Sequence, residues 1–228
     1  MPERSWIMSQ TWHDLLFAHW PVPASTLDGL IPPQLELDKW DGEGWIGVIP
    51  FRMDGIYPRG TFPLPWLSAS PEINVRTYVE FGGKRGVYFF SLDAANGVMV
   101  KVARRFFHLP YMQATMIVRN DNDTVHYSTS RASAEFRGSY RPTGGIEPAA
   151  PGSLEHWLTE RYCFYALDRN GHVLRGDIDH APWPLQPAEA SFDINSMTAP
   201  LGICLPDTPP LLHFSRKIDV KVWMPERA

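Results

Sequence analysis

Along most of this chain apolar and polar residues alternate with the period of two that a half-buried strand requires. WIGVIPF at 45–51, EINVRTYVE at 72–80, GVYFFSLD at 86–93, VMVKVARRFF at 98–107, QATMIVRN at 113–120 and TVHYSTSR at 124–131 predict strands. The joins GGKRG, Asn96-Gly97 and Asp121-Asn122-Asp123 carry residues that tolerate tight turns, so neighbouring strands are expected to form hairpins. The clearest hairpin comes later, where Asn170-Gly171 joins RYCFYALD to HVLRGDID. In the last element, LLHFSRKIDVKVW, Phe214, Ile218, Val220 and Val222 alternate with Ser215, Lys217, Asp219 and Lys221. Helices are expected to be short. Trp12, Leu15, Leu16 and His19 recur at helical spacing before prolines at 21 and 23, a turn spans Ser25 to Leu30, and Ser153 caps LEHWLTER.

Composition sharpens this picture. The 228 residues include 22 prolines, nearly twice the ordinary share, which disfavours long helices, and 29 aromatic rings to fill an interior. About ten strands with two or three short helices predict a mainly β (α+β) fold, a closed or nearly closed antiparallel β-barrel in one domain, residues 1–228. The stretch RPTGGIEPAAPG at 141–152 is read as a loop inside that domain. A net charge of −4 without charge runs argues against nucleic acid. No apolar stretch approaches a membrane span, and MPERSWIMSQ lacks the apolar core of a signal peptide, so a cytoplasmic location is expected. Cys163 and Cys204 are far apart and are read as small buried hydrophobes.

Local chemical motifs are few. Residues 42–47 spell G-x-G-x-x-G, but a strand follows them where a dinucleotide site needs a helix, so they are read as a glycine turn. No metal-ligand spacing occurs, no metal or cofactor is implied, and His108, His180 and His213 are read as structural. Asp177 and Asp179 fit a solvated hairpin. The most informative run is EINVRTYVE. Ile73, Val75, Thr77 and Val79 share one face, and Glu72, Asn74, Arg76, Tyr78 and Glu80 share the other. That polar face either meets solvent outside the barrel or places a carboxylate and a guanidinium in its lumen. Read as a strand, 98–107 sends Arg104 and Arg105 to opposite faces, and Arg104, His108 and Tyr111 then gather at the barrel mouth to hold an acid or carbonyl compound.

Several blocks together carry a resemblance. TWHDLLFAHWPV, PEINVRTYV, GVYFFSLDAANGVMVKVARRFFHLPYMQA, GSLEHWLTERYCFYA, HAPWPLQPAEA and PPLLHFSRKIDVKVW resemble the YqjF-like family of uncharacterised bacterial proteins over nearly the whole chain. That family is remotely similar to acetoacetate decarboxylases, which implies a cone-like β-barrel with an internal ligand cavity. Residues 103–114, A-R-R-F-F-H-L-P-Y-M-Q-A, lie without a gap over the decarboxylase run that carries two adjacent lysines. Arg104 and Pro110 match it, Tyr111 and Met112 stand where the lysines stand, and Glu72 falls on a cavity glutamate.

A Schiff base needs an activated amine, the requirement for which acetoacetate decarboxylase is itself the standard example. A phenol and a thioether supply none, so the resemblance predicts the fold without that reaction. Two functions follow. One is a small-molecule binder in which Arg76 and Arg104 pair with an anion, with Met112 beside the ligand. The other is a lyase, isomerase or hydratase with Glu72 as general base and Tyr111 or His108 as acid. Relatives with this barrel often assemble, so a homo-oligomer is a further expectation of the resemblance.

Overall fold

The computed structural model describes residues 3–62 and 69–228. Its strands, in chain order, are β1 (Met8–Val22), β2 (Glu36–Leu37), β3 (Gly44–Pro58), β4 (Ser70–Phe81), β5 (Lys84–Ala94), β6 (Tyr111–Gln113) and β7 (Thr115–Asp121). They continue with β8 (Thr124–Arg131), β9 (Ala134–Pro142), β10 (Cys163–Leu167), β11 (Val173–Asp179), β12 (Gln186–Asn195), β13 (Leu211–Val222) and β14 (Glu226–Arg227). Three helices interrupt them: α1 (Ala24–Leu27), α2 (Gly97–Phe106) and α3 (Leu154–Thr159). None of the described helices is long and apolar enough to cross a membrane.

Seven strands form a ring. Pairing runs β11–β10–β5–β4–β3–β1–β13, and the pairs Ile178↔Val222 and Asp179↔Lys221 join β13 back to β11. The expected all-antiparallel order has an exception at β10, which runs parallel to β5 with Phe164 opposite Val87. The chain reaches β10 through the outer strands and α3, not by a hairpin, so no tight turn dictates its direction. Beyond β13 the sheet continues through β12, β9, β8 and β7, and this layer covers the outside of the ring. There Tyr127, Phe136 and Tyr140 pack against Leu16, Val48, Ile73 and Val75. The strands β1, β3 and β4 are thus buried on both faces.

Two elements differ from expectation. Residues 12–19 lie in β1 and form no helix. Asp14 adopts a left-handed φ of 51°, and the pairing with β3 slips between His13 and Ala18. One extra residue changes which alternate side chains face inward, so Trp12 and Leu15, three apart, both reach the lumen. That step of three looks helical in sequence. Conversely, 98–107 is helix α2 and no strand. The Asn96 side chain, expected in a hairpin turn, accepts hydrogen bonds from the Val98 and Met99 amides at 3.0 and 3.2 Å and caps the helix.

Of the other local expectations several hold, and those for Cys204 and Asp177 do not. The hairpins at GGKRG, Asp121-Asn122-Asp123 and Asn170-Gly171 form. Ser153 caps α3 by accepting from the His156 amide at 3.2 Å. Gly42, with φ of 84°, lies in the turn that leads into β3. Cys163 is buried, whereas Cys204 is exposed. Asp177 belongs to no solvated hairpin: it is buried and paired with Lys84, Arg175 and Arg4.

Candidate functional site

The ring encloses a cavity of about 300 Å³. Trp12 and Phe17 from β1, Phe51 from β3, Phe89 from β5, Phe164 from β10 and Trp183 give it an apolar wall. Met99, Val102 and Ala103 of α2, followed by Phe107, cover one side. Into this lining project Glu72, Asn74 and Arg76 of β4, Tyr111 of β6, Arg161 and His180. Strand alternation causes the division. Ile73 and Val75 enter the outer core, which forces Glu72, Asn74 and Arg76 inward. For Glu72, Asn74 and Arg76 the lumen reading is the one observed, whereas Glu80 is partly exposed beside Arg85, and the opposite face of the strand is covered as well.

Among the described residues, several of these polar groups lack partners. Glu72 and Asn74 are buried, and Glu72 Oε2 and Asn74 Oδ1 accept no hydrogen bond. Arg76 Nε and Nη2, Arg161 Nη2 and His180 Nε2 are likewise buried without a partner. Buried polar atoms are ordinarily satisfied, so a concentration of exceptions on one cavity wall is a departure that asks for a cause. The two guanidiniums flank Tyr78, with Arg76 5.7 Å and Arg161 4.9 Å from its ring centroid. Their charges are handled differently. Arg161 donates to Asp38 at 2.7 Å and to the Trp157 carbonyl at 2.6 Å, while Arg76 has no carboxylate partner among the described residues.

Burial also sets the protonation states. It raises the Glu72 carboxyl to about 8; the adjacent Tyr111 hydroxyl opposes the rise and the negative Asp93 adds to it. Tyr111 itself is pushed well above the usual phenol range by burial and by Glu72. Glu72 therefore carries its proton at neutral pH. His19, whose Nε2 lies 2.6 Å from the Tyr78 hydroxyl, is driven well below its ordinary value by burial, then by Arg76 and His213, and is neutral.

Of the residues singled out in sequence, the structure brings Glu72, Arg76 and Tyr111 together on this cavity. Arg104, His108 and Met112 do not line it. Because α2 is a helix, Arg104 lies on its exposed side and donates from Nε to the Tyr111 carbonyl at 2.5 Å. His108, at a φ of 55°, reverses the chain between α2 and β6, and Met112 alternates away from Tyr111 on β6. Arg161, His180 and Trp183 were not anticipated as site residues. Their only sequence signal is a charge and two rings next to strand ends, which many surface positions share.

The fold matches that of acetoacetate decarboxylase from Legionella pneumophila, with a TM-score of 0.68 and 12% identity over 100% of this chain and 92% of that one. The enduracididine biosynthesis enzyme MppR, complexed with the condensation product of pyruvate and imidazole 4-carboxaldehyde, aligns with a TM-score of 0.70 and 8% identity over 98% and 90%. An acetoacetate decarboxylase-like enzyme from Sphingomonas wittichii RW1 gives 0.66 and 12% over 99% and 94%. At these identities the likeness is one of fold, and it defines an acetoacetate-decarboxylase-like β protein. Within that class the chain belongs to the DUF2071 family, described as an uncharacterized conserved protein, which matches residues 9–219. The uncharacterized protein YqjF of Bacillus subtilis (strain 168) is 46% identical over 226 residues, 98% of this chain and 93% of that protein.

Proposed function

We propose that the ring cavity binds a small organic acid or carbonyl compound. The observation that carries this reading is Arg76, a guanidinium on the cavity wall with two buried, unbonded nitrogens and no carboxylate partner among the described residues. A ligand carboxylate satisfies two such donors at once, with a charge-assisted, planar geometry. The fold neighbour MppR is described in complex with pyruvate, which supports an acid in a cavity of this type. Schiff-base decarboxylation is not part of the reading. Tyr111 and Met112 take the positions of the lysine pair by resemblance, and no lysine lines the cavity among the described residues.

A second reading rests on Glu72. A buried carboxyl that titrates near 8 beside a phenol has the character of a proton-transfer group, which favours a lyase, isomerase or hydratase. In its resting state Glu72 would act as the acid, and it becomes a base once deprotonated. Calorimetric titration of monocarboxylic and oxo-acids against wild type, Arg76→Met and Glu72→Gln separates the readings. Binding that weakens at least roughly tenfold in Arg76→Met supports an acid site. A binder keeps its affinity in Glu72→Gln and turns nothing over, whereas an enzyme keeps binding and loses turnover. Equal affinity in wild type and Arg76→Met would overturn the assignment of the acid to Arg76.

A further inference from the structure

Building on the acid-binding reading, we infer that the occupant is an elongated monocarboxylic acid with an apolar body and an uncharged carbonyl oxygen at its far end. The carboxylate meets Arg76, the body runs along the aromatic wall, and the carbonyl oxygen meets Glu72 and Tyr111. Three observations lead there. The first is size: an apolar cavity of ~150 Å³ already accepts benzene, and this one is about 300 Å³, so a three- or four-carbon acid leaves most of it empty. The second is the wall, where Trp12, Phe17, Phe51, Phe89 and Trp183 offer rings to the middle of a ligand, with the Trp183 Nε1 and, on β4 between the two stations, the Asn74 side chain as polar exceptions.

The third is the spacing of the polar stations. Glu72 and Arg76 are four residues apart on one inward face of β4, which sets their Cα atoms about 13 Å apart at a rise of roughly 3.3 Å per residue. The two stations differ in charge. Arg76 supplies an unpaired cation, whereas the Glu72 end contains Tyr111 and the buried Asp93, whose charge is already taken by Arg131 at 2.7 Å. A second anion placed there would face carboxyl groups with no free cation. A carbonyl oxygen would instead accept from the Glu72 carboxyl and the Tyr111 hydroxyl, both protonated at neutral pH. 7-Oxooctanoate, whose carboxylate and ketone are separated by five methylenes, is a probe of this class, with its carboxylate at Arg76 and its ketone oxygen as the hydrogen-bond acceptor at Glu72 and Tyr111.

The test is calorimetry at pH 7 on the full chain with 4-oxopentanoate, 7-oxooctanoate, octanoate and suberate. 7-Oxooctanoate is expected to bind at least roughly tenfold more tightly than 4-oxopentanoate, because three more methylenes are buried, and more tightly than suberate by a similar factor. Octanoate should fall between, and its deficit relative to 7-oxooctanoate should vanish in Glu72→Leu. If 4-oxopentanoate or suberate binds as tightly as 7-oxooctanoate, the proposed class is overturned and acid binding stands. If none of the four binds to folded wild-type protein, the acid-binding reading fails with it. Should Glu72→Leu not fold, the ranking of the four acids on wild type alone decides the matter.

Discussion

Glu72 and Asp177 are both 3% exposed carboxyl residues, on β4 and β11, yet their protons behave in opposite ways. Burial pushes Asp177 up, but Lys84 at 2.8 Å and Arg175 at 3.1 Å pull it below its ordinary value. Glu72 has no such cation, and burial leaves it near 8. The Asp177 cluster is a structure that has satisfied its own charges. Glu72 sits on a cavity wall where several polar groups have no partner among the described residues, and this difference separates a fold-holding ion cluster from a candidate binding site.

The largest expected effect tests this contrast by pH. Between its unfolded value of 4.5 and its folded value near 8, Glu72 keeps a proton in the folded state that the unfolded chain has released. The stability it contributes is therefore full below about 4.5 and is lost as pH rises through 8. Glu72→Gln should gain on wild type by up to about 4 kcal/mol between pH 4.5 and 8.5, measured by urea denaturation. The comparison isolates Glu72 from His19 and His213, whose values burial depresses and whose stabilising effect is lost as pH falls. A constant difference between the two proteins across that range would show that Glu72 titrates normally.

Next in size is a pair of arginine replacements. Arg161→Met strands the buried Asp38, which among the described residues keeps only Arg85 at 3.6 Å, and should cost about 3 kcal/mol in denaturant titrations. Arg76→Met removes a buried charge with no partner among the described residues, so it should cost no stability while weakening acid binding at least roughly tenfold. Equal losses of stability would mean that Arg76 is structural and that the orphaned-site argument is wrong.

Asp177→Asn should cost about 2 kcal/mol at pH 7, less than Arg161→Met because Lys84 and Arg175 are partly solvated. In wild type the contribution of Asp177 is present above 3.8 and disappears as pH falls through its depressed folded value, so the penalty should shrink only in acid. The smallest effect concerns the cover of the cavity. Asn96→Ala removes the cap of α2 and should cost about 1 kcal/mol, with faster amide exchange at Val98 and Met99 while the Asp177 cluster is unaffected.

Much of the fold was legible because a period of two needs only local information. β5 and β8 read directly, and so did the Asn170-Gly171 hairpin, where alternation and turn residues agree, whereas β9 was not anticipated. β1 did not, because the left-handed Asp14 shifts its alternation by one residue and both its faces are buried. α2 did not either, since valines at 98, 100 and 102 favour a strand and only the Asn96 cap and the packing over the cavity select the helix. Glu72, Arg76 and Tyr111 were found from strand alternation and from the resemblance to the decarboxylase run. Arg104 was misplaced by the strand assignment of α2, and Arg161 and His180 were missed because residues distant in sequence show no shared pattern.

The sequence by itself determined a mainly β chain, its principal turns and the division of β4 into an apolar and a polar face, since each depends on φ/ψ preference and period over a few residues. Whether that polar face meets water or a lumen was decided by tertiary structure alone. Closure of β13 on β11 and the outer layer packed over Ile73 and Val75 remove water from both faces of β4. The same enclosure turns a glutamate and an arginine four residues apart into two unlike ends of one cavity, because charge and hydrogen-bonding demands take effect only after solvent is excluded.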